Sequence, residues 1–137
     1  NDYQKSKINV ISLKNMENPL LVDITKIIVV IRNVVQNSFK YADTDTGVKI
    51  VLDKDEKNVF VKVRDYGPGI NSEEAQQVFE PFFRATNSKK ISGIGLGLSI
   101  SKKIMTSHRG NIKLKLDCKP GVEFCLVFPY KGVNKYD

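Results

Sequence analysis

Residues 23–41, DITKIIVVIRNVVQNSFKY, constrain this chain most, because their spacing fits a long helix with two unlike sides. Ile24, Ile27, Ile28, Ile31, Val34, Val35 and Phe39 recur at helical intervals and form a broad apolar face that must be buried against something large. At about 100° per residue, Asn33, Asn37 and Lys40 fall within a sector of roughly 60°, with Tyr41 at its edge. Such a helix sits at the boundary of a core. An amide oxygen is a hard, neutral donor that suits Mg²⁺, so Asn37 can hold that ion while phosphates complete its coordination. Lys40 adds a point charge for phosphate oxygens, and Tyr41 a ring that can pack on a base. Taken alone, the segment reads equally well as an amphipathic helix with a solvated stripe.

The stretch VRDYGPGI, residues 63–70, follows an alternating run of Val59, Val61 and Val63 and reads as a strand ending in a turn. Asp65 stands at the strand end. A carboxylate there can accept a hydrogen bond from an exocyclic amino group such as that of adenine, while Gly67 and Gly69 let backbone approach a flat ring. An ordinary turn aspartate is the alternative. Residues 79–98, FEPFFRATNSKKISGIGLGL, join an aromatic cluster to a polar stretch and a glycine-rich helix entry. Phe79, Phe82 and Phe83 read as anchors of a loop whose tip, residues 86–92, carries almost no apolar content, as a mobile lid would. Gly93, Gly95 and Gly97 lead into LSISKKIMTSH, a helix whose free N-terminal amides attract phosphate. Neither a Walker loop nor a dinucleotide fingerprint fits, since no GK[ST] occurs and no strand precedes these glycines.

In order and spacing, NVVQN, DYGPG, FEPFF and GIGLGL resemble the N, G1, F and G2 boxes of the ATP-binding domain of sensor histidine kinases. That family shares a superfamily, and the Bergerat fold, with type II topoisomerases, a heat-shock chaperone and mismatch-repair ATPases. The resemblance covers roughly residues 8–130 and implies one ATP-binding catalytic domain over 1–137. Its boxes fall at 33–41, 65–69, 79–84 and 93–98, with an ATP lid at 85–92. It implies ATP and Mg²⁺ as cofactors. Asn37 matches the Mg²⁺-coordinating asparagine, and Asn33 matches the first asparagine of the box, which the resemblance implies is close to the γ-phosphate. Lys40 and Tyr41 match the phosphate contact and the base-stacking ring. Asp65 matches the reader of the adenine amino group, with Gly67, Gly69, Ile70 and Phe82 around it. Arg84 matches a position that engages nucleotide or the phosphoacceptor helix, and Gly93, Gly95, Leu96, Gly97 and Leu98 match the phosphate-facing segment.

The resemblance has departures. Ile94 stands where a small residue, often Thr or Ser, is usual, and Arg109 replaces the first glycine of a common His-Gly-Gly. If that position needs φ > 0, Arg109 carries a steric cost there. Hydrolysing branches carry a glutamate base where this chain has Asn33, and a neutral amide cannot take a proton from water. Slow or no hydrolysis is therefore expected, with the γ-phosphoryl kept for a histidine on a separate dimerisation and phosphoacceptor domain, and thence indirectly a response regulator. The one histidine, His108, reads as a non-acceptor at a helix C-terminus. Two alternatives remain within the same fold: a serine kinase of the anti-sigma-factor type, and a degenerate interaction domain independent of nucleotide.

At 137 residues the chain has single-domain size. No run approaches the roughly 20 apolar residues of a membrane span, and Asn1 to Gln4 carry no signal-peptide pattern. A soluble, monomeric, cytoplasmic segment is expected; membrane anchoring of a parent protein would lie outside it. The net charge of +7 comes from scattered lysines without a basic helix, so nucleic acid is not the expected partner. A hairpin centred on the KPGV turn would set Cys125 opposite about Leu114, not Cys118, so no disulfide is expected. Strands are predicted near 8–13, 48–52, 59–63, 112–116 and 122–128, and helices near 23–41, 72–77 and 96–107. Together they predict an α+β two-layer sandwich, a mixed, mostly antiparallel sheet of about five strands with about three helices on one face.

Overall fold

The computed structural model describes residues 8–12, 20–41, 47–82 and 97–130, with only the backbone of Tyr41. The expected lid at 85–92, Phe83, Arg84, Gly93, Gly95 and Leu96 lie outside the described residues. Strands β1 (Ile8–Ser12), β2 (Val48–Lys54), β3 (Asn58–Asp65), β4 (Asn111–Lys115) and β5 (Glu123–Pro129) form one sheet in the order β1-β2-β3-β5-β4. β1 runs parallel to β2, and the other neighbours are antiparallel. Helices α1 (Ile24–Tyr41), α2 (Ser72–Ala75) and α3 (Gly97–Ser107) make the second layer, so the predicted α+β sandwich is the observed fold.

The period of each strand decides what enters the core. Val59, Val61 and Val63 of β3 are buried on one face, opposite Phe128, Leu126 and Phe124 of β5. They meet Ile27, Val30 and Val34 of α1 and Leu98 and Met105 of α3. The buried line of α1 is narrower than the apolar pattern implies. Ile24 and Ile28, expected to be buried, are 67% and 50% exposed, because the sheet and α3 cover only the side centred on Val30 and Val34. Ser38 falls on that line instead and is fully buried with its hydroxyl unpartnered.

The β4–β5 hairpin differs from its sequence reading by one residue. Its connection, residues 116–122, is centred on Lys119, so Cys125 pairs with Lys113, and Leu114 with Phe124. A shift of one moves every side chain across the sheet, and here it sets Leu114 on the core face with Phe124. Both cysteines are free thiols, as expected.

The end of α3 is a Schellman motif. The N–H of Gly110 donates to the carbonyl of Met105 at 2.9 Å, and that of Arg109 to Thr106 at 3.0 Å. This motif needs a left-handed residue, and Arg109 occupies it with φ 60°. The steric cost foreseen for Arg109 is therefore real. Gly110 is required for a different reason: a Cβ there would come within 2.3 Å of the Val127 carbonyl oxygen.

Three substitutions test these assignments by urea unfolding. Arg109→Gly is expected to raise stability by about 1 kcal/mol, the cost of a left-handed side-chain-bearing residue. Ser38→Ala should raise it by about 1 kcal/mol by removing a buried, unpartnered hydroxyl. Gly110→Ala should lower it by about 1 to 3 kcal/mol through overpacking against β5.

Candidate functional site

β3 continues its alternation one step, two residues, beyond Val63, and this sets Asp65 on the core face, fully buried. Its backbone N–H donates to the carbonyl of Val122 at 3.0 Å. The return bond is made by the side chain: Oδ1 accepts the N–H of Val122 at 3.3 Å and that of Gly67 at 3.0 Å. Oδ2 is buried and has no partner. One carboxylate oxygen is thus fixed by backbone donors, and the other is an unfilled acceptor.

Burial raises the pKa of Asp65 above the usual carboxylate value, against the opposing pull of the Gly67 and Val122 amides and of Arg64. The surroundings are built to hold this group. A Cβ at Gly121, φ 89°, would lie 2.1 Å from the Asp65 carbonyl oxygen and 2.7 Å from Oδ1, so only glycine permits the approach. Arg64 donates to the carbonyls of Cys118 and Pro120 and lies 4.8 Å over the Tyr66 ring, tying the hairpin connection to the turn after β3. Beside this junction opens a cavity of about 830 Å³ lined by Gly67, Gly69, Ile70, Lys119 and Gly121 among others. Asn33, Asn37 and Lys40 do not line it.

The amides of α1 stand at the α1–α3 contact. Nδ2 of Asn33 donates to the carbonyl of Gly97 at 3.1 Å and to Oγ of Ser101 at 3.3 Å, so Asn33 ties α1 to the first turn of α3. Nδ2 of Asn37 donates to the Asn33 carbonyl at 2.8 Å, which fixes its rotamer. Among the described residues, Oδ1 of Asn37 accepts no hydrogen bond and remains available to a cation. No cluster of three His, Cys, Asp or Glu residues that could hold a metal occurs among them. Lys40 is half-buried in the last turn of α1.

The remaining expected residues divide. Gly97 opens α3, and Leu98 is a core residue. Phe79 anchors the aromatic segment, edge-on to Phe124 at 6.4 Å with Lys102 5.3 Å over its ring. Phe82 does not serve as an anchor: it is 70% exposed with φ 67°, a conformation that is costly for an aromatic residue. Sequence reasoning missed Gly121, Val122 and Arg64 as supports of Asp65. The signal for Gly121 was present in the KPGV turn, but only the β3–β5 pairing brings that turn to Asp65.

A family described as histidine kinase-, DNA gyrase B- and HSP90-like ATPase matches residues 22–132, and the chain belongs to it. Relatives include the signal transduction histidine-protein kinase/phosphatase MprB of Mycobacterium leprae, 36% identical over 66% of this chain and 18% of that protein. The sensor histidine kinase WalK of Bacillus subtilis is 31% identical over 85% of this chain and 20% of its own length. The chain therefore spans about a fifth of these relatives. Among solved structures, the nucleotide-free catalytic domain of the histidine kinase ThkA superposes with a TM-score of 0.77 at 32% identity, covering 94% of this chain and 83% of that one. Among the described residues, no helix is long and apolar enough to cross a membrane.

The raised pKa of Asp65 has a consequence for stability. A folded-state value above the unfolded one means that the folded chain retains a proton over that interval, so stability falls as pH rises through it. In paired urea titrations, the stability of Asp65→Asn relative to the parent is expected to increase from the ordinary carboxylate range upward and then level off. A difference independent of pH would contradict the assignment.

Proposed function

We propose that this domain binds Mg-ATP and donates the γ-phosphoryl group to a histidine on a separate dimerisation and phosphoacceptor domain of a two-component sensor kinase. The observation that carries the reading is the buried, unpartnered Oδ2 of Asp65. An acceptor held in this way suits the amino group of adenine, whereas guanine offers a carbonyl at the corresponding position. Gly67, Gly69 and Ile70 flank the base, and Tyr41 and Phe82 are assigned to it as apolar contacts.

Asn37 is the proposed Mg²⁺ ligand through Oδ1, since its amide nitrogen is already committed to the helix backbone. When bound, the ion would neutralise phosphate charge and orient the polyphosphate. Lys40, Arg84 and the Gly93, Gly95, Leu96 and Gly97 segment are assigned to the phosphates. Asn33 acts through its hold on α3, which aligns the glycine segment with Asn37. Its amide cannot deprotonate water, which favours transfer to a protein acceptor over hydrolysis. Catalysis then rests on positioning and charge neutralisation. His108 is an unsuitable acceptor, because both of its ring nitrogens already have polar contacts within the domain. The response regulator is reached only indirectly, through the phosphorylated histidine.

Calorimetric titration with non-hydrolysable ATP and GTP analogues, with and without Mg²⁺, tests the reading. The parent should bind the ATP analogue in preference to the GTP analogue. In Asp65→Asn, Oδ1 can still accept from Gly67 and Val122, but an NH₂ replaces Oδ2 and opposes the adenine amino group. Affinity for the ATP analogue should fall by about tenfold or more. Asn37→Ala should remove the Mg²⁺-dependent part of binding. Parent-like binding by both variants would show the site assignment to be wrong.

A further inference from the structure

α1 is capped by Asp23, whose Oδ1 accepts the N–H of Lys26 at 3.2 Å. The N–H of the capping residue itself is the donor that a glutamate or glutamine at the third helical position satisfies by reaching back. That position here is Lys26, whose ammonium has no acceptor. The acceptor comes from the residue that follows α3: Nε2 of His108 takes the Asp23 N–H at 3.0 Å. Nδ1 of the same ring lies 2.8 Å from the carbonyl of Ile104 in α3. A carbonyl only accepts, so Nδ1 carries the hydrogen and Nε2 offers its lone pair. One species, the neutral Nδ1–H tautomer, makes both contacts.

The ring thus joins the beginning of α1 to the end of α3. Asn33 makes the second tie, to Gly97 and Ser101 at the beginning of α3. The helices run antiparallel between these ties, about 15 Å from 23 to 33 on α1 and about 16 Å from 97 to 108 along α3. Matched lengths allow both ties in one register. A slide of one turn, about 5.4 Å, would break both. We propose that His108 is a positioning residue of the nucleotide site, a neutral clamp that fixes the register in which Asn33 meets Gly97 beside Asn37. The role in nucleotide binding rests on the function proposed above; the clamp itself does not.

The experiment uses the single histidine of the 137-residue chain. Nitrogen NMR of the ligand-free protein should show a protonated Nδ1 and a hydrogen-bond coupling between Nε2 and the Asp23 amide. In His108→Ala, the Asn33 side-chain amide signals should move, Asp23 amide exchange should accelerate, and a non-hydrolysable ATP analogue should bind about fivefold more weakly. His108→Gln, which offers an amide oxygen near the position of Nε2, should retain most of the affinity. Adding Lys26→Glu to His108→Ala supplies the missing acceptor from α1 itself. Thermal stability should then recover, while the Asn33 signals and the affinity should not. An Nε2–H tautomer, or Asn33 signals unmoved by His108→Ala, overturns the clamp. Recovery of those signals with Lys26→Glu also overturns it, leaving His108 as a helix cap alone. Since the NMR readouts need no nucleotide, a parent that fails to bind ATP counts against the proposed function while the Asn33 signals still decide the clamp.

Discussion

Where β3 leaves the sheet, a side-chain oxygen replaces a backbone carbonyl as the partner of the Val122 N–H, and the candidate base site is organised around that exchange. The Asp65 backbone still donates to Val122, so the rung is half backbone and half carboxylate. Taking a carboxylate out of water is unfavourable, and the amides of Gly67 and Val122 offset only part of the penalty. They engage one oxygen. The other is left buried and without a partner, which a structural role alone does not explain. Gly121 allows the hairpin connection to touch the Asp65 backbone, and Arg64 holds that connection through the carbonyls of Cys118 and Pro120.

The second constraint is the pairing of α1 with α3. Asn33 ties the middle of α1 to Gly97 and Ser101, and His108 ties its beginning to the end of α3. The C-terminal motif of α3 supports this arrangement. Gly110 allows the chain to pass against Val127 of β5, while Arg109 takes the left-handed conformation that the turn requires. A glycine would meet the requirement at Arg109 without the steric cost. The helix layer is therefore registered on the sheet by a turn that is locally suboptimal, and Asn37 takes its position from that register.

Much of this was legible in the sequence because periodicity is a local property. The alternation of Val59, Val61 and Val63 marked β3, and the helical spacing of Ile27, Ile31 and Val34 marked α1, although Val30, which that pattern did not single out, is fully buried. The order of the glycine and asparagine segments pointed to the family that the chain belongs to. Periodicity counts apolar residues without saying what lies opposite them. It therefore assigned Ile24 and Ile28 to the interior, where they are exposed, and gave no sign that Ser38 is buried. The hairpin register failed by one residue for a related reason, since the centre of the connection depends on backbone geometry and not on its composition.

The sequence by itself determined the sheet and helices, the presence of Asp65 at a strand end, and the amide-bearing side of α1. These follow from residue type and spacing along a single segment. Only the tertiary structure decided that Asp65 is held by Gly67 and Val122, that Gly121 must lack a side chain, and that Asn33 and His108 bridge two helices. Each of these joins segments far apart in the chain. Their geometry is set by strand pairing and helix packing, which bring backbone donors and acceptors together in a way that no local pattern encodes.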